Sequence, residues 1–259
     1  MTWLLVLLFF AFLGAFELLA WFWIPQPRTE RPADEVPVGE LQKRFGLWEK
    51  LAGIPFFLFL VPCMAGWFFL FWWIRDAFHK LIPPSEMLLV PSVAMFLVPA
   101  FFLGFCSVMY PLAWLYRLLL GSDYAEYTRF TTERTEVSPA VVFRRISQLV
   151  VPIAIGFSLL ACDWYTRLTP QEFVENSIFS LGEAKYAMAD IVELRDIAGF
   201  IAPNGNHVQR PYFEIQFTDG FRWNSSQDLY SLNDRSYLRL IQRLSDLTGK
   251  PVVKYPLPP

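Results

Sequence analysis

The sequence predicts a helical membrane protein with about four transmembrane helices and a small C-terminal α+β module. Three observations carry that reading. Of the 259 residues, 54% are hydrophobic and only 18% are charged, whereas a soluble domain carries about 25% charged residues. The apolar residues gather into four stretches suited to a hydrocarbon core about 30 Å thick. Beyond residue 168 the pattern changes to strict alternation with turn signals, followed by one amphipathic helix. The same composition excludes a disordered chain, a collagen, a coiled coil and a disulfide scaffold. A net charge of −2 with no basic stripe also argues against nucleic acid as a partner.

The first stretch, 2–24, holds a single charge, Glu17, and ends at Pro25-Gln26-Pro27. With no basic n-region and no small-residue cleavage site, it is expected to be a retained span and not a signal peptide. The second span, 54–74, closes with Trp72-Trp73 and Arg75. The third is expected over 87–111, with an interfacial continuation after Pro111. The fourth is expected over 146–163, between the basic pair Arg144-Arg145 and the aromatic pair Trp164-Tyr165. Between the first two spans, Leu41, Phe45 and Trp48 recur at i, i+4, i+7. That spacing predicts an amphipathic helix lying on the membrane surface. The expected domains are therefore 1–168 in the membrane and 169–259 as the module.

Orientation follows from basic residues in the short loops. The loop 25–53 holds Arg28, Arg31, Lys43, Arg44 and Lys50, and the loop 113–145 with its borders holds Arg117, Arg129, Arg134, Arg144 and Arg145. Against these ten stand Arg75, Lys80 and Arg167. The first and third loops are therefore expected in the cytoplasm. The expected location is the inner (plasma) membrane, with the module on the periplasmic or extracellular side, or in the cytoplasm if the fourth stretch does not cross.

In the module, Phe173–Ser180 and part of Tyr186–Phe200 read as strands, and Asn204-Gly205 is a turn signal between Ile201 and Val208. Phe213, Ile215 and Phe217 alternate with polar neighbours, Asp219-Gly220 turns the chain, and Phe221 and Trp223 alternate again: a hairpin with one apolar face. A helix capped by Asn233 or Asp234 carries Tyr237, Leu240, Ile241 and Leu244 on one side, and Gly249 and Pro251 stop it. The sheet face and the helix stripe need each other.

The run Lys185-Tyr186-Ala187-Met188-Ala189-Asp190-Ile191, the run from Tyr212 to Gly220 and the helix ending Leu247-Thr248-Gly249 together resemble a bacterial pleckstrin-homology-like (PH-like) domain, of the kind found on multi-pass bacterial membrane proteins. The resemblance covers the C-terminal third of the chain. It implies a PH-like sheet with a terminal helix, and it departs in two ways: fewer strands than the family's seven, and a family usually cytoplasmic. No binding motif is matched, so it assigns no residue a role.

The search for chemistry finds no catalytic constellation. The two histidines, His79 and His207, have no second ligand at helical or hairpin spacing. No nucleophile elbow, phosphate loop or dinucleotide fingerprint occurs, and Cys63, Cys106 and Cys162 sit in apolar stretches as packing residues. No enzyme activity, cofactor or metal is expected. Asp190, Glu193 and Asp196 form an acidic trio in one short segment. From residue 169 onward 9 basic and 11 acidic residues give no general attraction to anionic lipid, although Arg235, Arg239 and Arg243 share a helix face. The candidate partner-binding residues are thus Asn204, Asn206, His207, Arg235, Arg239 and Arg243, and Glu17 is the candidate intramembrane polar site. The expected function is a non-catalytic membrane protein whose module binds a protein partner in an assembly, regulatory or toxin-immunity role. The alternative is a small transporter or channel-like protein with a polar path through spans kinked at Pro55, Pro62, Pro91, Pro99, Pro111 and Pro152.

Overall fold

The computed structural model describes residues 37–135, 139–178, 180, 182–225 and 234–257. The expected first span, with Glu17, lies outside them, as does the candidate cap Asn233. Three helical runs among the described residues are long and apolar enough to cross a membrane: Gly39–His79, Val93–Thr135 and Val141–Cys162. They are joined by a C-terminal β-sheet region. The described residues form two compact units, one of 37–76 together with 95–159, the other of 77–94 together with 160 onward.

In the helical unit, α1 (Val38–Leu51) is followed by α2 (Gly53–His79). A one-turn 3₁₀ segment at Val93–Phe96 leads into α3 (Leu97–Ser107), then α4 (Met109–Leu120), α5 (Tyr124–Thr135) and α6 (Pro139–Cys162). The break between α3 and α4 has a local cause. Pro111 has no N–H to give the Ser107 carbonyl four residues back, so the helical ladder is interrupted there. Helix resumes at Met109 and carries the chain past Pro111 to Leu120. Gly104 lets α3 approach α2 closely: a Cβ there would lie 2.6 Å from Met64 Cγ and 2.8 Å from the Met64 backbone nitrogen. The Trp67 indole N–H donates to Ser107 Oγ at 2.9 Å across the same pair, and Phe105 stacks on Phe143 of α6 at 5.1 Å between ring centroids.

The apolar stripe of α1 does not face lipid as expected. Leu41 and Phe45 are buried with Leu112, Tyr116, Tyr127 and Phe130 of α4 and α5. Arg44 pairs with Asp123 at 2.6 Å and Glu126 at 2.7 Å, and Arg134 pairs with Glu49. A matching amphipathic helix, α5, supplies the apolar surface that the membrane was expected to provide.

The first strand of the second unit lies inside the expected third span. Met87–Leu89 is a strand, β1, which pairs antiparallel with β2 (Tyr165–Leu168), Leu89 opposite Thr166. Its apolar side chains are claimed by a sheet, so the helical run that follows starts only at Val93. β3 (Glu172–Asn176) and β4 (Ala184–Ala187) complete an antiparallel sheet in the order β1-β2-β3-β4. β2 is hydrogen-bonded to β3 across residue 168, and the second unit takes in residues from 160 onward.

A second four-stranded sheet holds β5 (Ile191–Ile197), β8 (Tyr212–Phe217), β9 (Arg222–Asn224) and β10 (Val252–Tyr255), in the order β10-β5-β8-β9. β6 (Phe200–Ile201) and β7 (His207–Val208) form a small hairpin between β5 and β8. Helix α7 (Asp234–Thr248) follows β9. It stops where expected, at Gly249 with φ +66°, whose N–H bonds the Ser245 carbonyl at 2.9 Å. The chain does not stop there: β10 returns parallel to β5, so the expected all-antiparallel sheet acquires one parallel pair. Parallel neighbours need a crossover, which α7 helps provide. One core joins both sheets and α7, with Leu89, Leu168, Phe173, Leu194, Phe213, Ile215, Phe217, Trp223, Leu240 and Leu244 all buried.

Candidate partner-binding surface

The β6–β7 hairpin is held by its own backbone. Ala202 N–H bonds the Asn206 carbonyl, and Gly205 N–H bonds the Ala202 carbonyl. Asn206 N–H bonds Asn204 Oδ1 at 3.1 Å. Gly205 takes φ +82°, a conformation glycine adopts without the Cβ clash of other residues. With the turn fixed in this way, the whole run 203–207 is exposed, including Asn204, Asn206 and His207. The structure therefore gathers three of the sequence-derived candidates on one ordered protrusion.

The arginine stripe of α7 fares differently. Arg239 is exposed and stands beside Leu238, itself 63% exposed. Arg243 donates from Nε and Nη2 to the two carboxylate oxygens of Glu86, at 2.6 and 2.5 Å. This fork clasps α7 to the segment that enters β1, and the Arg243 hydrogen bond holds the Glu86 carboxyl below its ordinary range. Arg243 is thus a structural clasp. The Arg235 side chain lies outside the described residues.

A network missed in the sequence covers the outer face of the second sheet. Arg195 Nε and Nη2 both donate to Glu193 Oε2, at 2.8 and 2.7 Å, Nη1 donates to Glu214 at 2.9 Å and Nη2 to Gln216 at 2.5 Å. Tyr255 O–H donates to Glu193 at 2.8 Å. These residues meet because Arg195 faces Glu214 across the β5–β8 ladder and Glu193 faces Gln216. Hydrogen bonds from Arg195 and Tyr255 keep the Glu193 carboxyl low. The acidic trio is dispersed: Glu193 belongs to this network, while Asp190 accepts a hydrogen bond from the Ala187 N–H at the entry to β5. Asp196, three residues along the strand from Glu193, falls on the opposite face.

At the start of the first sheet, Tyr165 O–H donates to Glu183 at 2.5 Å, with Lys185 3.3 Å and Arg167 3.4 Å away. Burial pushes Glu183 up, but Tyr165, Arg167 and Lys185 together bring its carboxyl below the ordinary range. Burial alone raises Glu175, and burial also raises Asp163 against the opposing hydrogen bond of Asn176.

Among the described residues no group of three or more His, Cys, Asp or Glu side chains is placed to hold a metal ion. The charged clusters are internally matched, which suits holding a sheet together more than performing a reaction. The fold thus has a class, membrane-competent helices with an attached β module, and compared with known protein families, curated proteins and solved structures the chain matches none.

Proposed function

We propose that this is a non-catalytic integral membrane protein whose C-terminal module binds a protein partner, in an assembly, regulatory or toxin-immunity role. The observation that carries the reading is the β6–β7 tip. It is a fully exposed run whose conformation is set by its own hydrogen bonds, so little ordering entropy opposes its capture by a partner. The PH-like reading gains support from β1. With that strand, seven strands outside the small hairpin precede a helix among the described residues, in keeping with the count the family would require.

Two internal pairings favour a module outside the cytoplasm. The β1–β2 pairing supports a reading with 87–89 and 165–168 on one side of the membrane and an even number of crossings between them. The runs Val93–Thr135 and Val141–Cys162 would supply two, in keeping with an expected fourth span that traverses. The α1–α5 packing keeps the first and third loops together, and these are the loops with the basic excess.

Two experiments test the reading. A cysteine replacing Asn204 should react with a membrane-impermeant maleimide in intact cells, and protection there would overturn the outward orientation. Proteins co-purifying with the full chain should be lost from Asn206→Ala/His207→Ala and reduced in Arg239→Glu, at unchanged abundance. An identical set of companions in all three samples would overturn partner binding through this surface.

A further inference from the structure

Helix α1 carries a second strip on the side away from α5. Leu47 and Leu51 are 67% and 45% exposed, and Ile54 at the start of α2 is 67% exposed. Their i, i+4, i+7 spacing puts them on one helix face, away from Leu41 and Phe45, which pack against α4 and α5. The strip runs on into the open face of α2, where Leu58 and Val61 are also exposed. Lys43 and Lys50 stand on it about one turn either side of Leu47, and both are exposed. Glu40, exposed as well, lies at its outer end.

The basic side chains of α1 and α5 divide in two. Arg44, Arg129 and Arg134 are matched internally, by Asp123 and Glu126, by Glu133, and by Glu49. Lys43 and Lys50, which flank the exposed leucines, enter no ion pair among the described residues.

Depth decides what this strip meets. The helical run Gly39–His79 has 41 residues, roughly 60 Å of helix, against about 40–45 Å for a bilayer with its headgroups. Trp72 and Trp73 are exposed, as suits one headgroup layer. About 20 residues span the hydrocarbon, which puts its other edge near Ala52. Leu51, Lys50 and Leu47 then stand in the first two turns beyond that edge, at headgroup depth. Lys43 is one turn further, within a Debye length of the lipid charge. Helix α4 repeats the pattern at the same level. Its Tyr116 meets Trp48 edge-on at 6.4 Å, and its Trp114 and Leu118 are 54% and 66% exposed. Outward leucines beside unmatched lysines suit the boundary between acyl chains and anionic headgroups.

We propose that this face of α1 binds anionic lipid in the leaflet from which α2 enters the membrane, an inference that rests on the integral-membrane reading above. Leu47 and Leu51 sit in the acyl boundary, and the Lys43 and Lys50 ammonium groups bind the headgroup phosphates.

The test uses the full chain in phosphatidylcholine vesicles containing phosphatidylglycerol. Phosphatidylglycerol should be retained on the repurified chain in preference to phosphatidylcholine. Retention should fall roughly fivefold for each of Lys43→Gln and Lys50→Gln, fall as salt is raised, and recover in Lys43→Arg/Lys50→Arg. Equal retention by the parent and Lys43→Gln/Lys50→Gln would overturn the proposal and leave the membrane reading standing. A bimane on Leu47→Cys, with Cys63→Ala, Cys106→Ala and Cys162→Ala, should be quenched more strongly by a nitroxide carried on lipid headgroups than by aqueous iodide. The reverse order would put water at the strip, and shielding from both quenchers would put protein there; either overturns the proposal. A chain that alkaline carbonate strips from the vesicles would overturn the membrane reading itself, and this inference with it.

Discussion

Helix α2 and strand β8 are built from the same kinds of side chain and dispose of them in opposite ways. Phe57, Leu58 and Val61 of α2 are 65–67% exposed, while Phe213, Ile215 and Phe217 of β8 are at most 1% exposed. In the module, water sorts the residues: apolar surface leaves it, and Phe213, Ile215 and Phe217 fill the core while Glu214 and Gln216 pair with Arg195 on the other face of β8. On α2 no such sorting is seen: the helix is long and apolar enough to cross a membrane, and hydrocarbon would be as apolar as its side chains. There the contacts that matter are those where side chains are missing or polar, at Gly104 against Met64 and at Trp67 against Ser107. Apolarity therefore marks the core in one unit and the outer surface in the other.

The comparison is broken most severely by emptying the module's core. Phe217→Ala should cost about 3–5 kcal/mol, read as lost hydrogen-exchange protection across β5 and β8 in the full chain. Replacing its exposed neighbour Thr218 should leave protection unchanged. Equal effects would mean that Phe217 and the exposed Thr218 are not distinguished by burial.

Next comes a matched pair of lysines. Val61→Lys, on the open face of α2, should impair insertion by about 2.5–3.5 kcal/mol, seen as a lower membrane-inserted fraction. Val253→Lys, exposed on β10 of the module, should change stability by no more than about 0.5 kcal/mol. If the two were equally harmless, the open face of α2 would be facing water.

Smaller effects sharpen the module's side of the contrast. Arg243→Ala removes the clasp on Glu86 and should lower the module's thermal midpoint slightly, with the difference shrinking as salt is raised. Smallest is Glu175→Gln. Burial raises the Glu175 carboxyl in the folded state, so ionisation at neutral pH opposes folding, and the penalty fades as pH falls through the raised value toward that of the unfolded chain. The glutamine variant should be slightly more stable at pH 7 and no different from the parent below about pH 4.

Much of this organisation can be read from periodicity. The β8–β9 hairpin turns at Asp219-Gly220 with the expected face inward, α7 ends at Gly249, and the exposed Asn204-Gly205 turn lies where its dipeptide places it. Each of these depends on residues within one or two turns of chain, where backbone preference and alternation act directly. Tertiary structure decided what covers each apolar face. Met87–Leu89 reads as the start of a span and becomes a sheet edge because Tyr165–Leu168 offers it a ladder. The α1 stripe reads as lipid-facing and is covered by α5. Arg243 reads as a free cation and is held by Glu86, 157 residues away in sequence. Periodicity reports that a face is apolar or charged, but several surfaces could satisfy it equally well. The choice among them is made only when distant segments are brought together.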